Sequence, residues 1–282
     1  MKNRRLLVVL VTIVVAIATV LWDAVNRWKR VSDALVRRLR GTRHPPTVSR
    51  VTEDDLAGLP APVAKYLRKV LPDPHPIITG ARVTQHGVFR LPTDAWKPFD
   101  AVSHYTVTPP GFVWDARIEM VPKIHTFVRD SAVGGEATMT ASIAGLLKVL
   151  DVQSSPELLE AALQRYLSEA VWFPTALLPS QGVVWTAIDD SSARVSLTVG
   201  ATTVSADFHF GADGLASGVT ANRYREEDGK LIRWPWSVTL SRYEERRHVL
   251  VPIKGEVAWQ LPQGRLPYWR GSVVRIDYDY AG

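Results

Sequence analysis

From about residue 77 onward, apolar and polar residues alternate in short runs. In FVWDARIEM, Phe112, Trp114, Ala116, Ile118 and Met120 point one way, and Val113, Asp115, Arg117 and Glu119 the other. RVSLTV, VSADFHF and VVRIDYDY repeat the pattern with Val195, Leu197 and Val199, with Val204, Ala206, Phe208 and Phe210, and with Val274, Ile276, Tyr278 and Tyr280. A period of two is that of a half-buried strand. The clusters TPPG at 108–111, DDSS at 189–192, GADG at 211–214 and EDGK at 227–230 separate the runs as turns. Alternation joined by short turns predicts antiparallel strands with one wet face. A parallel sheet would instead show near-continuous apolar strands linked by helices.

Two stretches break the alternation. SSPELLEAALQRYLSEAVW begins with Ser155 as N-cap and Pro156 at the first helical position, and places Leu159, Ala162, Leu163, Tyr166, Leu167 and Ala170 on one face. SIAGLLKVL at 142–150 reads as a shorter helix before it. The helix at 156 runs into EAVWFPTALL, and no charged residue follows Glu169 until Asp189. Upstream, Pro60 and Pro62 open a short helix buried through Val63, Tyr66, Leu67 and Val70, which Pro72 closes. The order of elements predicts an α+β domain at 46–282, a curved, mainly antiparallel sheet with helices covering one face.

The N-terminus has a different pattern. Leu6–Trp22 carries no charge and, at about 1.5 Å per residue, is roughly 25 Å long, at the short end of a spanning helix. A small-x-small site at Ala16–Ala18 resembles a signal-peptidase site, but the apolar run continues past it to Trp22, so residues 1–22 are read as an uncleaved anchor. In residues 23–45, Val25, Trp28, Val31, Leu35 and Leu39 form one helical stripe among basic residues. Such a helix lies on an anionic membrane surface or continues the span as a solvated stalk. Basic residues after the span favour a cytoplasmic domain, whereas Lys2, Arg4 and Arg5 before it are how exported anchored proteins begin. Both orientations stay open, with the extracytoplasmic side preferred.

Charge changes the picture in one respect. The net charge of +6 comes from residues 1–45, where ten basic residues face Asp23 and Asp33; the remainder carries two more acidic than basic residues. A nucleic-acid-binding domain carries its own positive surface, so no nucleic-acid partner is expected. There is no cysteine, which excludes disulfides, thiolate metal sites and a catalytic thiol. No phosphate-binding loop, nucleophile elbow or His/Cys metal spacing is present, and no cofactor or metal is expected. The membrane is the one partner the sequence points to directly; protein partners are not specified.

Ten tryptophans provide the strongest remaining signal, because large rings fill cores and also line apolar ligand sites. The leading expectation is a lipid or other apolar ligand held between the sheet and the 156–180 segment. Trp172, Phe173, Leu177 and Leu178 form its lid, Phe112, Trp114 and Trp259 its wall, and Glu169, Arg117 or Arg270 meet a head group. The alternatives are an envelope enzyme using Glu169 or Asp115 as acid–base residue, and an interaction domain with a solid core and no ligand.

The stretches LPAPVAKYLRKVLP, TVTPPGFVWDARI, RYLSEAVWFPTALLPS, AIDDSSARVSL and GEVAWQLPQGRLPYWRG together resemble a family of uncharacterised bacterial membrane-anchored proteins, over about residues 55–280. That resemblance implies one domain behind a hydrophobic segment and no particular activity. At the level of fold, the strand–helix–strand order is similar to the LolA/LolB-type lipoprotein carriers, whose curved sheet, covered by helices, encloses acyl chains.

Overall fold

The alternating runs are strands of one sheet that curls around a single helix. The computed structural model describes residues 2–91, 93–122, 124–227 and 229–281, so Asp228 of the EDGK turn lies outside the described residues. The chain opens with helix α1 (Lys2–Gly41), then β1 (Arg50–Val51), α2 (Glu53–Leu56), α3 (Ala61–Val70) and β2 (His75–Pro76). An up-and-down meander follows: β3 (Ile78–Arg90), β4 (Trp96–Thr106), β5 (Gly111–Val121), β6 (Ile124–Val133), β7 (Glu136–Ile143) and β8 (Leu147–Val152). After α4 (Pro156–Glu169) and a run of short 3₁₀ turns to Gln181, the meander resumes. It continues through β9 (Val183–Asp189), β10 (Ser192–Val199), β11 (Thr202–Phe210), β12 (Ala216–Glu227), β13 (Lys230–Arg246), β14 (Val249–Leu261) and β15 (Gly264–Tyr280).

All thirteen strands from β3 to β15 form one antiparallel sheet in the order β8-β7-β6-β5-β4-β3-β15-β14-β13-β12-β11-β10-β9. The two halves of the meander are joined where β15 pairs with β3. They meet closely there: a Cβ on Gly87 would lie 2.0 Å from the Arg270 carbonyl oxygen. The sheet does not close, since β8 and β9 are its two edges. Helix α4 touches β5–β7 on one side and β10–β12 on the other. Strands so far apart in the order reach one helix only if the sheet is rolled into a trough.

The caps of α4 are as the sequence predicts. Ser155 Oγ accepts the Leu158 amide at 3.1 Å and Pro156 opens the first turn. Beyond Ala170 the chain turns in 3₁₀ steps, two of which begin at Pro174 and Pro179, residues without the N–H that an α-helix needs.

The helix expected at 142–150 is a correction. Those residues form the end of β7, a turn and the edge strand β8. Ala144 and Gly145 hold positive φ of 52° and 73°, which a helix does not allow.

A second difference concerns α1. Its C-terminal half lies neither on a membrane surface nor free as a stalk, but is packed on the convex face of β4–β6. Ala24, Trp28, Ser32, Leu35, Val36 and Leu39 face the sheet, while Val25 and Val31 of the expected stripe stay exposed. The reason is polar as well as apolar. Trp28 Nε1 donates to Asp115 Oδ1 at 3.0 Å, Ser32 Oγ donates to the other oxygen of Asp115, and Arg129 Nε donates to Ser32 Oγ at 3.0 Å. The Arg129 guanidinium also lies 4.0 Å from the Trp28 ring centre. Leu39 sits over Gly111, where a Cβ would approach its Cδ1 to 2.8 Å, and Ala24 sits on Gly145. The helix therefore runs antiparallel to β5 and passes the end of the sheet at the β7–β8 turn. Leu6–Trp22, long and apolar enough to cross a membrane, projects beyond that end.

Candidate functional site

The trough has two unlike ends. At the end away from Leu6–Trp22 it is filled. Trp172 is nearly buried, and Phe173, Leu177 and Leu178 are fully so. The Phe173 ring lies 4.7 Å from Tyr105 and 5.5 Å from Tyr166. Two backbone carbonyls of this apolar segment are bonded by side chains from neighbouring strands. Trp185 Nε1 donates to Leu177 O at 2.8 Å and Tyr278 Oη to Trp172 O at 2.7 Å, while the segment's own Thr175 Oγ1 accepts the Ile78 backbone amide at 3.0 Å. Trp172 Nε1 in turn donates to Pro252 O at 3.0 Å. EAVWFPTALL is therefore a plug and not a lid: the space in which a ligand was expected is occupied by these side chains themselves.

Phe112 and Trp114 do lie on the concave face, beside a buried ionic cluster. Arg165 donates to Asp130 Oδ2 at 2.7 Å and to Glu169 Oε1 at 2.9 Å, and Tyr105 Oη donates to Glu169 Oε2 at 3.0 Å. The guanidinium stands 5.0 Å from both the Phe112 and Trp114 ring centres. Burial pushes the Glu169 carboxyl up, against the opposing pull of Arg165 and Tyr105. Burial works against the Arg165 charge, but the Glu169 and Asp130 carboxylates outweigh it and hold the guanidinium protonated. Glu169 is thus tied into the core and does not face a head group, and Asp115 is clasped under α1. Neither stands in an open cleft where acid–base chemistry could occur.

Arg117 and Arg270 are also corrections, because strand parity puts both on the convex face. Arg117 pairs across β4 with Asp100, 3.9 Å away, in a shallow cleft of about 180 Å³ with His86, Glu119 and His125. Arg270 bonds Glu256 and lies over Trp96 at 4.5 Å. A second cleft, of about 390 Å³, lies between the start of α3 and the β11–β12 turn. Among the described residues no group of three or more His, Asp or Glu is arranged to hold a metal ion.

The end of the trough nearest Leu6–Trp22 is built of rings. Phe99 lies 6.2 Å from Trp114 and 5.7 Å from Trp269. Tyr268 lies 6.0 Å from both Phe89 and Trp259, stacked on the latter, and accepts the Trp236 Nε1–H at 2.9 Å. Trp269 lies flat over a patch of sheet without side chains: a Cβ on Gly271 would come within 2.3 Å of its ring. Phe89, Tyr268 and Trp269 are half-buried, so this floor of rings reaches solvent.

Two cations stand on the floor. The Arg223 guanidinium is 5.2 Å from the Trp236 ring centre and 5.9 Å from that of Trp259, and Arg225 is 5.9 Å from Trp259. Arg223 Nε donates to the Ala161 carbonyl at 2.9 Å and has no carboxylate partner among the described residues; Arg225 pairs with Glu227 at 2.8 Å. Polar groups beside the rings are left over as well. Gln85 Oε1 accepts from Trp114 Nε1 at 3.1 Å and from Ser103 Oγ at 3.4 Å, but its buried Nε2 has no acceptor, and neither has Trp234 Nε1. Of the residues singled out in the sequence, Trp114 and Trp259 belong to this floor. Arg223, Arg225, Gln85 and Trp269 were missed. The parity of VTANRYR, with Val219, Ala221, Arg223 and Arg225 on one face, was the available signal.

A family of unknown function (DUF6544) has a sequence model that matches residues 49–271. The chain belongs to that family. No curated protein matches it. Among solved structures, a LolA superfamily protein from Nitrosomonas europaea aligns at TM-score 0.40 and 10% identity, over 79% of this chain and 94% of that one. A beta-barrel-like protein of a domain of unknown function (DUF1849) from Brucella abortus aligns at TM-score 0.20 and 10% identity, over 72% of this chain and 99% of that one. Likenesses this distant carry no information about a ligand.

Proposed function

We propose that this chain is a membrane-anchored domain that binds an anionic amphiphile, a lipid or lipid-like molecule, on the aromatic floor at the open end of its trough. The observation that carries the proposal is the stacking of Arg223 and Arg225 on the buried Trp236 and Trp259 rings, next to the half-buried Phe89, Tyr268 and Trp269 on the concave face. A guanidinium with no carboxylate partner, beside apolar surface that reaches water, is complementary to a head group attached to a hydrocarbon tail. The rings take the tail, at about 0.8 kcal/mol per CH₂ removed from water. Gln85 Nε2 offers an unused donor to an ester or amide oxygen. The plug closes the far end, so the ligand enters from the side on which Leu6–Trp22 emerges.

The test is native mass spectrometry of the full chain, taken from its own membranes into nanodiscs, with organic extraction of whatever stays bound. An anionic amphiphile in fixed ratio to the protein is expected. Arg223→Ala with Arg225→Ala should lower its occupancy at least tenfold, since each charge-assisted contact is worth about 1.5–3 kcal/mol. A chain that carries only bulk lipid, equally in wild type and variant, would favour the interaction domain with a solid core.

A further inference from the structure

We infer that the open end of the trough is itself a membrane contact: Val121, Ile124, Leu146, Leu147, Leu231 and Ile232 enter the interface of the bilayer that Leu6–Trp22 crosses. This rests on the anchoring reading above and deepens it. These six side chains are 39% to 62% exposed. They flank three turns, β5–β6, β7–β8 and β12–β13, all at the same end of the sheet. Turns at the opposite end are built from TPPG, GG, DDSS, GADG and RRH, the polar and glycine-rich composition ordinary for hairpin tips. At the near end these apolar flanks stand among polar turns, Thr93–Asp94 of β3–β4 and Pro262–Gln263 of β14–β15, so what marks them for lipid is the continuity of the β7–β8 pair with α1.

The geometry of α1 fixes which partner this is. The helix is continuous through the boundary, from Trp22, 69% exposed, to Ala24, 1% exposed against the β7–β8 turn. Two residues of helix span about 3 Å, so the turn bearing Leu146 and Leu147 sits within a helical turn of the edge of the span. Ala24 on Gly145, and Trp28 on Asp115 and Arg129, tie the helix to the sheet at two points one turn apart, just past the span. Register places Ile232 four residues beyond Trp236 of the floor, roughly 13 Å further toward the same plane. Arg27, Lys29 and Arg30, exposed on the first turns after Trp22, stand at head-group level, where anionic lipid would meet them. With its end on the bilayer, the aromatic floor receives an amphiphile that never crosses bulk water.

The chain has no cysteine, so single-cysteine variants report position cleanly. Leu146→Cys, Leu231→Cys, Leu10→Cys and Ala212→Cys, the last at the opposite end, are each labelled with an environment-sensitive fluorophore. The full chain is then placed in vesicles of phosphatidylcholine and phosphatidylglycerol containing spin-labelled acyl chains. Blue-shifted, quenched emission at 10, 146 and 231, with none at 212, is expected. Quenching at 10 with water-like emission at 146 and 231 overturns this inference and leaves the anchor standing. Water-like emission at 10 overturns the anchor, and the inference with it.

Discussion

Arg165 is where the fold is most exposed to a single change. Its side chain is 16% accessible, and those of Asp130 and Glu169 are 6% and 14% accessible at 2.7 and 2.9 Å. Arg165→Met keeps the bulk and removes the charge, leaving two carboxylates against the Phe112 and Trp114 rings. Breaking a buried pair in this way costs about 3–5 kcal/mol, because the remaining charge is unsolvated. For a domain of this size each kcal/mol shifts Tm by about 2–4 °C, so a fall of about 6–20 °C is expected in a thermal circular-dichroism scan. A pH signature goes with it. Burial already pushes the Glu169 carboxyl above its ordinary value, and losing Arg165 removes the main opposing pull, so its share of stability is present at low pH and lost as pH rises. The deficit of the variant should therefore shrink on going from pH 7 to pH 5. Adding Asp130→Asn and Glu169→Gln should restore much of the Tm. Arg233→Met, which breaks the exposed pair with Glu160, is the control and should cost about 0–1 kcal/mol. A fall in Tm no larger than that control's would refute the reasoning, since it would mean that water reaches the cluster.

Two further predictions concern the convex face. His104 lies beneath the end of α1, where burial first, and then Arg40 and Arg82, hold its pKa down to about 4. A depressed histidine destabilises the fold as pH falls below about 6.5, by at most about 2 kcal/mol at pH 5 and about half that for a half-buried ring. His104→Gln should lose less Tm between pH 7 and pH 5 than the wild type, and an equal loss would count against the assignment. Trp28→Ala removes the hydrogen bond to Asp115, the Phe127 contact at 5.7 Å and the Arg129 stacking. About 2–3 kcal/mol of docking should go with them, raising amide exchange in residues 24–39 by about 30- to 150-fold. Unchanged exchange would show that apolar contacts alone hold the helix.

The strands were legible because alternation is a local property: FVWDARIEM declares its own two faces, and β5 buries Phe112, Trp114 and Ala116 as that pattern requires. The α4 caps were legible for the same reason. What failed was either ambiguous or non-local. A short apolar run such as GLLKVL suits a helix or an edge strand equally, and only the positive φ at Ala144 and Gly145 decides between them. EAVWFPTALL is apolar whether it covers a ligand or replaces one, and Phe173 against Tyr105 is a contact across 68 residues of chain. The docking of α1 joins Trp28 to Asp115 over a still longer separation, and a helical-stripe pattern carries no such information. Arg117 and Arg270 are different. Their odd–even position against Trp114 and Trp269 already assigns them to the opposite face of the strand from a ligand on the rings.

The central claim is that an anionic amphiphile occupies the floor of rings under Arg223 and Arg225. A phospholipid with a photoactivatable acyl chain, cross-linked to the full chain in nanodiscs and mapped by peptide mass spectrometry, tests it most directly. Adducts on the strands bearing Phe89, Trp259 and Trp269, lost in the Arg223→Ala, Arg225→Ala variant, are the predicted result. Adducts confined to residues 6–22 in the wild type would contradict it.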